Sequence, residues 1–253
     1  MRRRFYVDRF DESSASLTGD AAEHLGRVLR AEPGQLYELS DGQRVFLGRI
    51  ERIAADKRSE PRIEFSLLEP LEASEPAPAI HLLLSIVKFD RFEWALEKAT
   101  ELGVAEIVPL AAARSDKPLL AAAQKRRERW RKILVESAQQ SRRLRPPSLR
   151  EAAAPGDAFA GSAAALKIFL SERSSAPGLR EVLARRDAGA PGPASAALAI
   201  GPEGGWTEGE ISGAHSAGFA EASLGGTILR TETAVIASVS ILRFALGDES
   251  ARG

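Results

Sequence analysis

Two glycine-containing stretches near the C-terminus carry the residue types best suited to holding a ligand. Residues 195–205 have the sequence SAALAIGPEGG, and residues 224–234 have the sequence LGGTILRTETA. Gly201, Gly204 and Gly205 lack a Cβ atom, so the main chain there can adopt positive φ and place its amides and carbonyls against a ligand. The pattern predicts a ligand held mainly by backbone groups, although two tight turns with no ligand would show the same spacing.

Each stretch has the order strand, glycine turn and helix. The apolar run 196–200 predicts a buried strand, and Thr207 with Glu210 predicts a capping box that begins a helix. Residues 219–224 predict a short strand, and Thr231 is expected to cap a helix beginning near Glu232. Ligands of open α/β sheets bind beyond the carboxyl ends of the strands, so both turns are expected at one site. The first turn does not match GxGxxG and holds a carboxylate, which disfavours a dinucleotide.

The rest of the chain predicts two domains. Residues 1–70 have the pattern of a small β domain, residues 71–79 fall in a proline-rich linker, and residues 80–253 alternate strands with helices, which indicates a mostly parallel sheet. In the first domain the pattern predicts strands at 36–39, 45–50 and 62–68, a hairpin loop at 40–43, and one helix at 20–30. In the second domain the pattern predicts strands at 80–87, 104–110 and 166–170. It predicts helices at 90–102, 117–141, 179–186 and 232–246, the first of them capped by Asp90 with Glu93.

The last of these helices is apolar on almost every side, so something must enclose it. Burial in its own domain accounts for part of this surface, and a two-fold partner would cover the rest.

Composition narrows the function further, since the 253 residues contain no cysteine and only three scattered histidines. We therefore expect no disulfide and no metal site. No apolar run is long enough to span a membrane, and the start of the chain lacks a signal peptide, so a cytoplasmic protein with no membrane contact is expected.

Positive charge is concentrated locally although the formal net charge is zero. Such runs can follow the phosphates of RNA, but the solvated face of a helix would explain any one of them equally well. The candidate RNA-binding residues are Arg27, Arg30, Arg126, Arg129, Arg142 and Arg143.

The residues of the two glycine stretches are similar to a known sequence signature. GPEGG followed at this distance by LGxxxLRTETA resembles the ribosomal RNA methyltransferase family that modifies N3 of a uridine in 16S ribosomal RNA of the small ribosomal subunit. Residues 22–30 (AEHLGRVLR) and 98–104 (KATELGV) also resemble segments of that family. Two positions differ, since Gly226-Thr227 stands where the family usually has Pro-Arg, and the family has a glycine near Arg142.

The resemblance implies a fold, a cofactor and an assembly. The family belongs to the SPOUT class, so it implies an α/β methyltransferase domain with a C-terminal trefoil knot, behind a small N-terminal PUA-like β-barrel that holds RNA. It also implies S-adenosylmethionine as cofactor and a homodimer. The cofactor-binding residues implied are Ile200, Gly201, Pro202, Glu203, Gly204, Gly205, Leu224, Gly225, Ile228, Leu229 and Thr231.

Methyl transfer from a sulfonium is an in-line displacement that needs positioning more than a covalent residue. Loss of the proton from uracil N3 spreads negative charge over the ring carbonyls, which a cation would stabilise. Arg230 is the candidate catalytic residue, with an ion pair to Glu232 or Glu203 as the alternative. Glu203 is expected to face the cofactor or to cap the next helix. A SPOUT enzyme acting on another RNA, such as transfer RNA, and a non-catalytic RNA-binding protein are the competing functions.

Overall fold

The computed structural model describes residues 3–54, 60–185 and 193–247. The chain divides into two compact units: unit 1 contains Met1–Glu75 with Ala138–Pro146, and unit 2 contains Pro76–Ser137 with Pro147–Gly253. Arg186, the last residue of a predicted helix, lies outside the described residues.

Unit 1 is built on one five-stranded sheet. Its elements are β1 (Arg4–Tyr6), β2 (Ser14–Thr18), α1 (Gly19–Glu23), β3 (Leu36–Ser40), β4 (Val45–Ala54) and β5 (Arg62–Leu71). The strand order is β1-β3-β4-β5-β2, with β1 parallel to β3 and the other pairs antiparallel. The hairpin predicted at 40–43 is confirmed. Strands β1 and β2 are the two edges of this sheet, so the barrel stays a prediction.

The helix predicted over residues 20–30 is interrupted. α1 is followed by a π-helical stretch, His24–Val28, and Arg30 has a φ of 52°, in the left-handed region. A helix cannot continue through that conformation, so the segment ends before Arg30. Its inner side reaches the core of unit 1 through Leu25, which is fully buried with Phe5 and Phe65.

Residues 138–146 complete unit 1 from far along the chain, and nothing in the sequence pattern predicted this return. Tyr6 Oη donates to the carbonyl of Arg143 at 3.0 Å, and Ser40 Oγ donates to the carbonyl of Leu144 at 2.6 Å. Burial raises the pKa of Tyr6. Arg142 has a φ of 57°, in the left-handed region that favours glycine.

A charged cluster lies beneath this return. Glu38 is 2% exposed and accepts two hydrogen bonds from the buried Arg4, from Nε at 3.1 Å and from Nη2 at 2.9 Å. Arg142 also pairs with Glu38, and Arg143 pairs with Glu75 at 2.8 Å. Buried charges persist only when they are paired, so this cluster fixes how residues 138–146 pack in unit 1.

Unit 2 is an α/β layer structure, as the sequence predicted. Its elements are β6 (Ala79–Ser85), α2 (Phe89–Glu101), β7 (Glu106–Leu110), α3 (Lys117–Gln140, its last residues in unit 1), β8 (Ser148–Leu149), α4 (Pro155–Ala160), β9 (Leu166–Leu170), α5 (Leu179–Ala184), β10 (Ser195–Ile200), α6 (Glu208–Ser216), β11 (Ala220–Ala222) and α7 (Thr231–Leu246). The six strands are all parallel, in the order β11-β9-β10-β6-β7-β8.

Apolar side chains cover both faces of this sheet. On one face Leu84 and Ile200 pack in a cluster with Phe92 of α2 and Val235 of α7. The other face packs in a second cluster, which contains Leu83, Ala199, Phe159, Trp206 and Phe219. Continuous apolar strands are typical of a parallel sheet that is buried on both sides.

Two predicted helix caps are wrong, although both helices begin within one residue of the predicted start. α2 begins at Phe89, before the predicted cap Asp90, and Glu93 accepts a hydrogen bond from Arg129 Nε at 2.8 Å instead of closing a capping box. α7 begins at Thr231 itself, because Arg230 occupies the N-cap position and makes no capping bond with its side chain. The capping box of α6 is confirmed, since the amide of Glu210 donates to Thr207 Oγ1 and the amide of Thr207 donates to the Glu210 carboxylate.

The last helix is half enclosed by its own unit. Val235, Val239 and Leu242 are fully buried, whereas Phe244 is 88% exposed and Ile241 is 39% exposed. Burial within the unit therefore accounts for one side of α7, and the opposite side carries uncovered apolar surface. Within the described part of the chain, no helix combines the length and apolar character needed to cross a membrane.

Candidate functional site

The turn after β10 is a tight bend that glycine makes possible. Gly205 has a φ of 71°, and its amide donates to the carbonyl of Pro202 at 2.8 Å. A Cβ atom on Gly201 would lie 3.0 Å from the buried ring of Trp206. The indole cannot easily withdraw, because its Nε1 donates to the carbonyl of Leu170 at 2.8 Å. The main chain at Gly201 therefore packs directly against the ring of Trp206, and a side chain does not fit between them.

The loop after β7 holds this turn in place. Arg114 Nη1 donates to the carbonyls of Gly204 and Trp206, at 3.0 Å and 3.1 Å. The amide of Ala113 donates to Glu210 Oε1 at 2.8 Å. These bonds tie the loops that follow two parallel strands to each other, at the edge of the sheet where ligands of α/β proteins bind. Arg114 was not predicted from the sequence, because its partners are carbonyls about ninety residues away.

The second turn follows β11 and is more open. Gly225 has a φ of 124°, a conformation that L side chains rarely adopt, and Ile228 is 82% exposed. Leu224 and Leu229 pack against the same apolar cluster that contains Ile200 at the end of β10. Residues of both predicted turns thus pack against the same apolar cluster. Main-chain groups and exposed apolar side chains together can hold a flat, partly polar small molecule.

The charged residues of the two turns differ sharply in their surroundings. Glu203 pairs with Arg91, and it does not cap α6. The side chain of Arg230 is exposed and makes no ion pair or hydrogen bond with any residue that the structure describes, so neither Glu203 nor Glu232 is its partner. Its guanidinium is free to meet a negative charge beside the second turn.

Glu232 is a feature that sequence reasoning did not identify as functional. It is the second residue of α7 and is 6% exposed. Its Oε2 is buried without a hydrogen-bond partner among residues 3–54, 60–185 and 193–247. Nothing in the sequence signalled this role, because a carboxylate in the first turn of a helix is common.

The candidate RNA-binding residues fall into different settings. Arg126 and Arg129 lie together on α3 and both pair with Glu93. Arg27 pairs with Glu23 on an exposed surface of unit 1, close in sequence to the exposed Arg30. Arg142 and Arg143 take part in the charged cluster of unit 1, and Arg143 is only 7% exposed.

Histidine and acidic side chains do not gather into a metal site within the described residues, where no group of three was found. His81 lies 3.8 Å from Glu106, and His215 lies 3.8 Å from Glu221. Each is a single pair, which does not provide a ligand set.

A parallel α/β sheet with glycine turns at its carboxyl edge has the architecture of a ligand-binding domain, and comparison with known proteins specifies its class. Residues 74–243 match the family described as RNA methyltransferase domain. Curated relatives are each called ribosomal RNA small subunit methyltransferase E. The relative from Synechocystis sp. is 32% identical, with 88% of this chain and 70% of that protein covered, and the relative from Bacillus subtilis is 30% identical, with 90% and 89% covered. The chain belongs to this family of RNA methyltransferases.

Solved structures agree with this assignment. A ribosomal RNA small subunit methyltransferase E from Neisseria gonorrhoeae, bound to S-adenosyl methionine, is 30% identical with a TM-score of 0.83, and covers 98% of this chain and 100% of its own. A putative methyltransferase from Legionella pneumophila, in complex with the cofactor SAM, is 32% identical with a TM-score of 0.82, and covers 98% of this chain and 99% of its own.

Proposed function

We propose that this protein transfers a methyl group from S-adenosylmethionine to N3 of a uridine in 16S ribosomal RNA. The observation that carries the proposal is that both glycine turns follow strands of one parallel sheet and pack residues against one apolar cluster, with the unpaired guanidinium of Arg230 at the end of the second turn. The names of the relatives and the cofactor in the Neisseria structure support the same reaction.

The residues present fit this cofactor. A side chain at Gly201 would press on the buried ring of Trp206, so at this position the turn has only its main-chain amide and carbonyl to offer an adenine or ribose edge. The proposed contacts come from residues 200–205, from Leu224, Gly225, Ile228 and Leu229, and from Thr231. When bound, S-adenosylmethionine supplies an electrophilic methyl group. The protein's own part is to hold the uracil in line and to stabilise the charge on its carbonyl oxygens through Arg230.

Replacing Gly204 with valine tests the first turn. A Cβ at this position would lie 3.2 Å from Arg114 Cβ, and the larger side chain would displace Arg114 from the carbonyls that it holds. We expect S-adenosylmethionine to bind at least about tenfold more weakly, measured by calorimetry. Gly209→Val is the matched control, because a Cβ there meets nothing within 4 Å. Unchanged affinity in a folded Gly204→Val protein would remove the turn from the site.

We further propose the finer fold that the family resemblance implies. Residues 1–70 form a PUA-like barrel that residues 138–146 complete, residues 71–79 form a linker, and the rest of residues 80–253 form a SPOUT domain whose C-terminal segment is threaded into a trefoil knot. The support is the strand order, in which β11 is an edge strand while α7, which follows it, packs against α2 and β10. An experimental structure in which α7 does not pass through a loop of the chain would refute the knot.

The proposed substrate is RNA of the small ribosomal subunit, which places the protein in the cytoplasm. Arg27, Arg30, Arg126 and Arg129 are the proposed phosphate contacts, because all four are exposed. The deciding experiment incubates purified protein with labelled S-adenosylmethionine and either unmodified 16S ribosomal RNA, assembled small subunits or transfer RNA. Mass spectrometry should find 3-methyluridine only in the ribosomal samples. A product in transfer RNA alone would favour another SPOUT activity, and binding of RNA without any product would favour a non-catalytic protein.

A homodimer is the proposed assembly. The uncovered side of α7, with Phe244 and Ile241, is apolar surface that a second copy of the chain would bury. Sedimentation at micromolar concentration should give twice the monomer mass, and Phe244→Asp should shift the protein toward monomer. A wild-type protein that sediments as a monomer would contradict this proposal.

A further inference from the structure

The carboxylate of Glu232 stands out because it is buried and incompletely partnered. It lies in the first turn of α7, a helix of 16 residues, and its Oε2 has no hydrogen-bond donor within the described part of the chain. The helix N-terminus favours a negative charge, but burial of a carboxylate costs more than a helix dipole returns. A positively charged hydrogen-bond donor on a bound ligand would supply the partner that Glu232 lacks in the protein.

The cations around the two turns do not serve Glu232. Arg91 pairs with Glu203, and Arg114 donates to the carbonyls of Gly204 and Trp206. Arg230 precedes Glu232 by two residues but is exposed, and no ion pair joins them. The buried negative charge therefore remains without a protein counter-ion in the described structure.

Its position is on the cofactor side of the site. The neighbouring residues Ala234 and Val235 pack in the apolar cluster that also receives Ile200, Leu224 and Leu229 from the two turns. Arg230, in contrast, points to the solvent side, where an RNA strand would approach. Glu232 is thus buried at the end of the second turn, beside the surface proposed for the cofactor.

We propose that Glu232 binds the α-ammonium group of S-adenosylmethionine, an inference that rests on the proposed function. A buried carboxylate needs both an opposite charge and a hydrogen-bond donor. The sulfonium offers charge without a donor, and the ribose hydroxyls and adenine amine offer donors without charge. Only the ammonium offers both. Glu232 is a cofactor-binding residue in this scheme, distinct from the backbone contacts of the turns.

Three ligands separate the possible contacts. Calorimetry would compare wild type and Glu232→Gln with S-adenosylmethionine, with S-adenosylhomocysteine, which keeps the ammonium but not the sulfonium charge, and with methylthioadenosine, which has neither. We expect the substitution to weaken the first two by a similar factor, about 10- to 100-fold, and to leave methylthioadenosine within about twofold. Glu221→Gln is the control, because Glu221 Oε1 is also buried without a partner but lies on β11, outside the turns.

Stability without ligand provides an independent measurement. Removing an unpaired buried charge should leave the thermal midpoint of the free Glu232→Gln protein equal to or above that of wild type, and should reduce the upward shift that S-adenosylmethionine causes. Equal loss for all three ligands, loss for S-adenosylmethionine alone, or no loss would each overturn the ammonium contact. If wild type bound none of the three ligands, the proposed function itself would fail.

Discussion

Replacing Arg230 with alanine is expected to lower kcat for uridine methylation by about 100- to 1000-fold, which corresponds to about 3 to 4 kcal/mol. The guanidinium is exposed at the N-cap of α7 and is not engaged by any described carboxylate, so its charge is available to the uracil anion. The affinity for S-adenosylmethionine should change only a few-fold, because the cofactor is held by other groups.

Single-turnover methylation at saturating cofactor is the measurement for this variant, together with calorimetry for the cofactor. Arg180→Ala is a suitable control, since Arg180 is an exposed cation on α5 of the same unit. Arg230→Lys should recover part of the rate, because lysine keeps the positive charge but lacks the planar guanidinium with its paired N–H donors. Strongly weakened cofactor binding with a normal rate at saturation would make Arg230 a cofactor clamp.

Replacing Glu38 with glutamine is expected to destabilise unit 1 by about 3 to 5 kcal/mol. The side chain of Arg4 is 5% exposed and would keep its charge without a counter-ion, since Glu38 accepts both of its hydrogen bonds. Arg142 would lose the same partner, which loosens the packing of residues 138–146.

The chain offers separate probes for this measurement. Both tyrosines, Tyr6 and Tyr37, belong to unit 1, and all three tryptophans belong to unit 2. Urea unfolding followed by tyrosine absorbance and by tryptophan fluorescence therefore reports on the two units. Glu51→Gln is the control, because the ion pair of Glu51 with Arg49 is about half exposed, and exposed pairs contribute little to stability. A loss for Glu38→Gln as small as that of the control would contradict the role of the buried pair.

Periodicity predicted most of unit 2 because its strands are apolar over their whole length. Residues 166–170 and the run that ends at Ile200 were both predicted and are observed as β9 and β10. The capping box of α6 was also correct, since Thr207 and Glu210 satisfy each other locally. The candidate site was predicted from a different signal, the glycines that mark where the main chain bends.

Long-range contacts were what the sequence could not supply. Asp90 and Glu93 have the spacing of a capping box, but Glu93 is engaged by arginines of α3 more than thirty residues away. Arg114 was overlooked because it donates to carbonyls that are distant in the sequence. Glu232 was overlooked because only the structure shows that its Oε2 is buried without a hydrogen-bond donor. The short strands β1 and β2 were missed for a similar reason, since only pairing with β3 and β5 identifies them.

The return of residues 138–146 to unit 1 has a consequence for the growing polypeptide. A first domain that ended at Glu75 could fold as soon as that residue left the ribosome, but here the partners of Tyr6, Ser40 and Glu38 appear about 70 residues later. At synthesis rates of about 5 to 20 residues per second, the N-terminal sheet waits roughly 4 to 14 s for its last segment. During that interval Glu38 lacks its contact with Arg142, so we expect unit 1 to become fully stable only after Pro146 emerges.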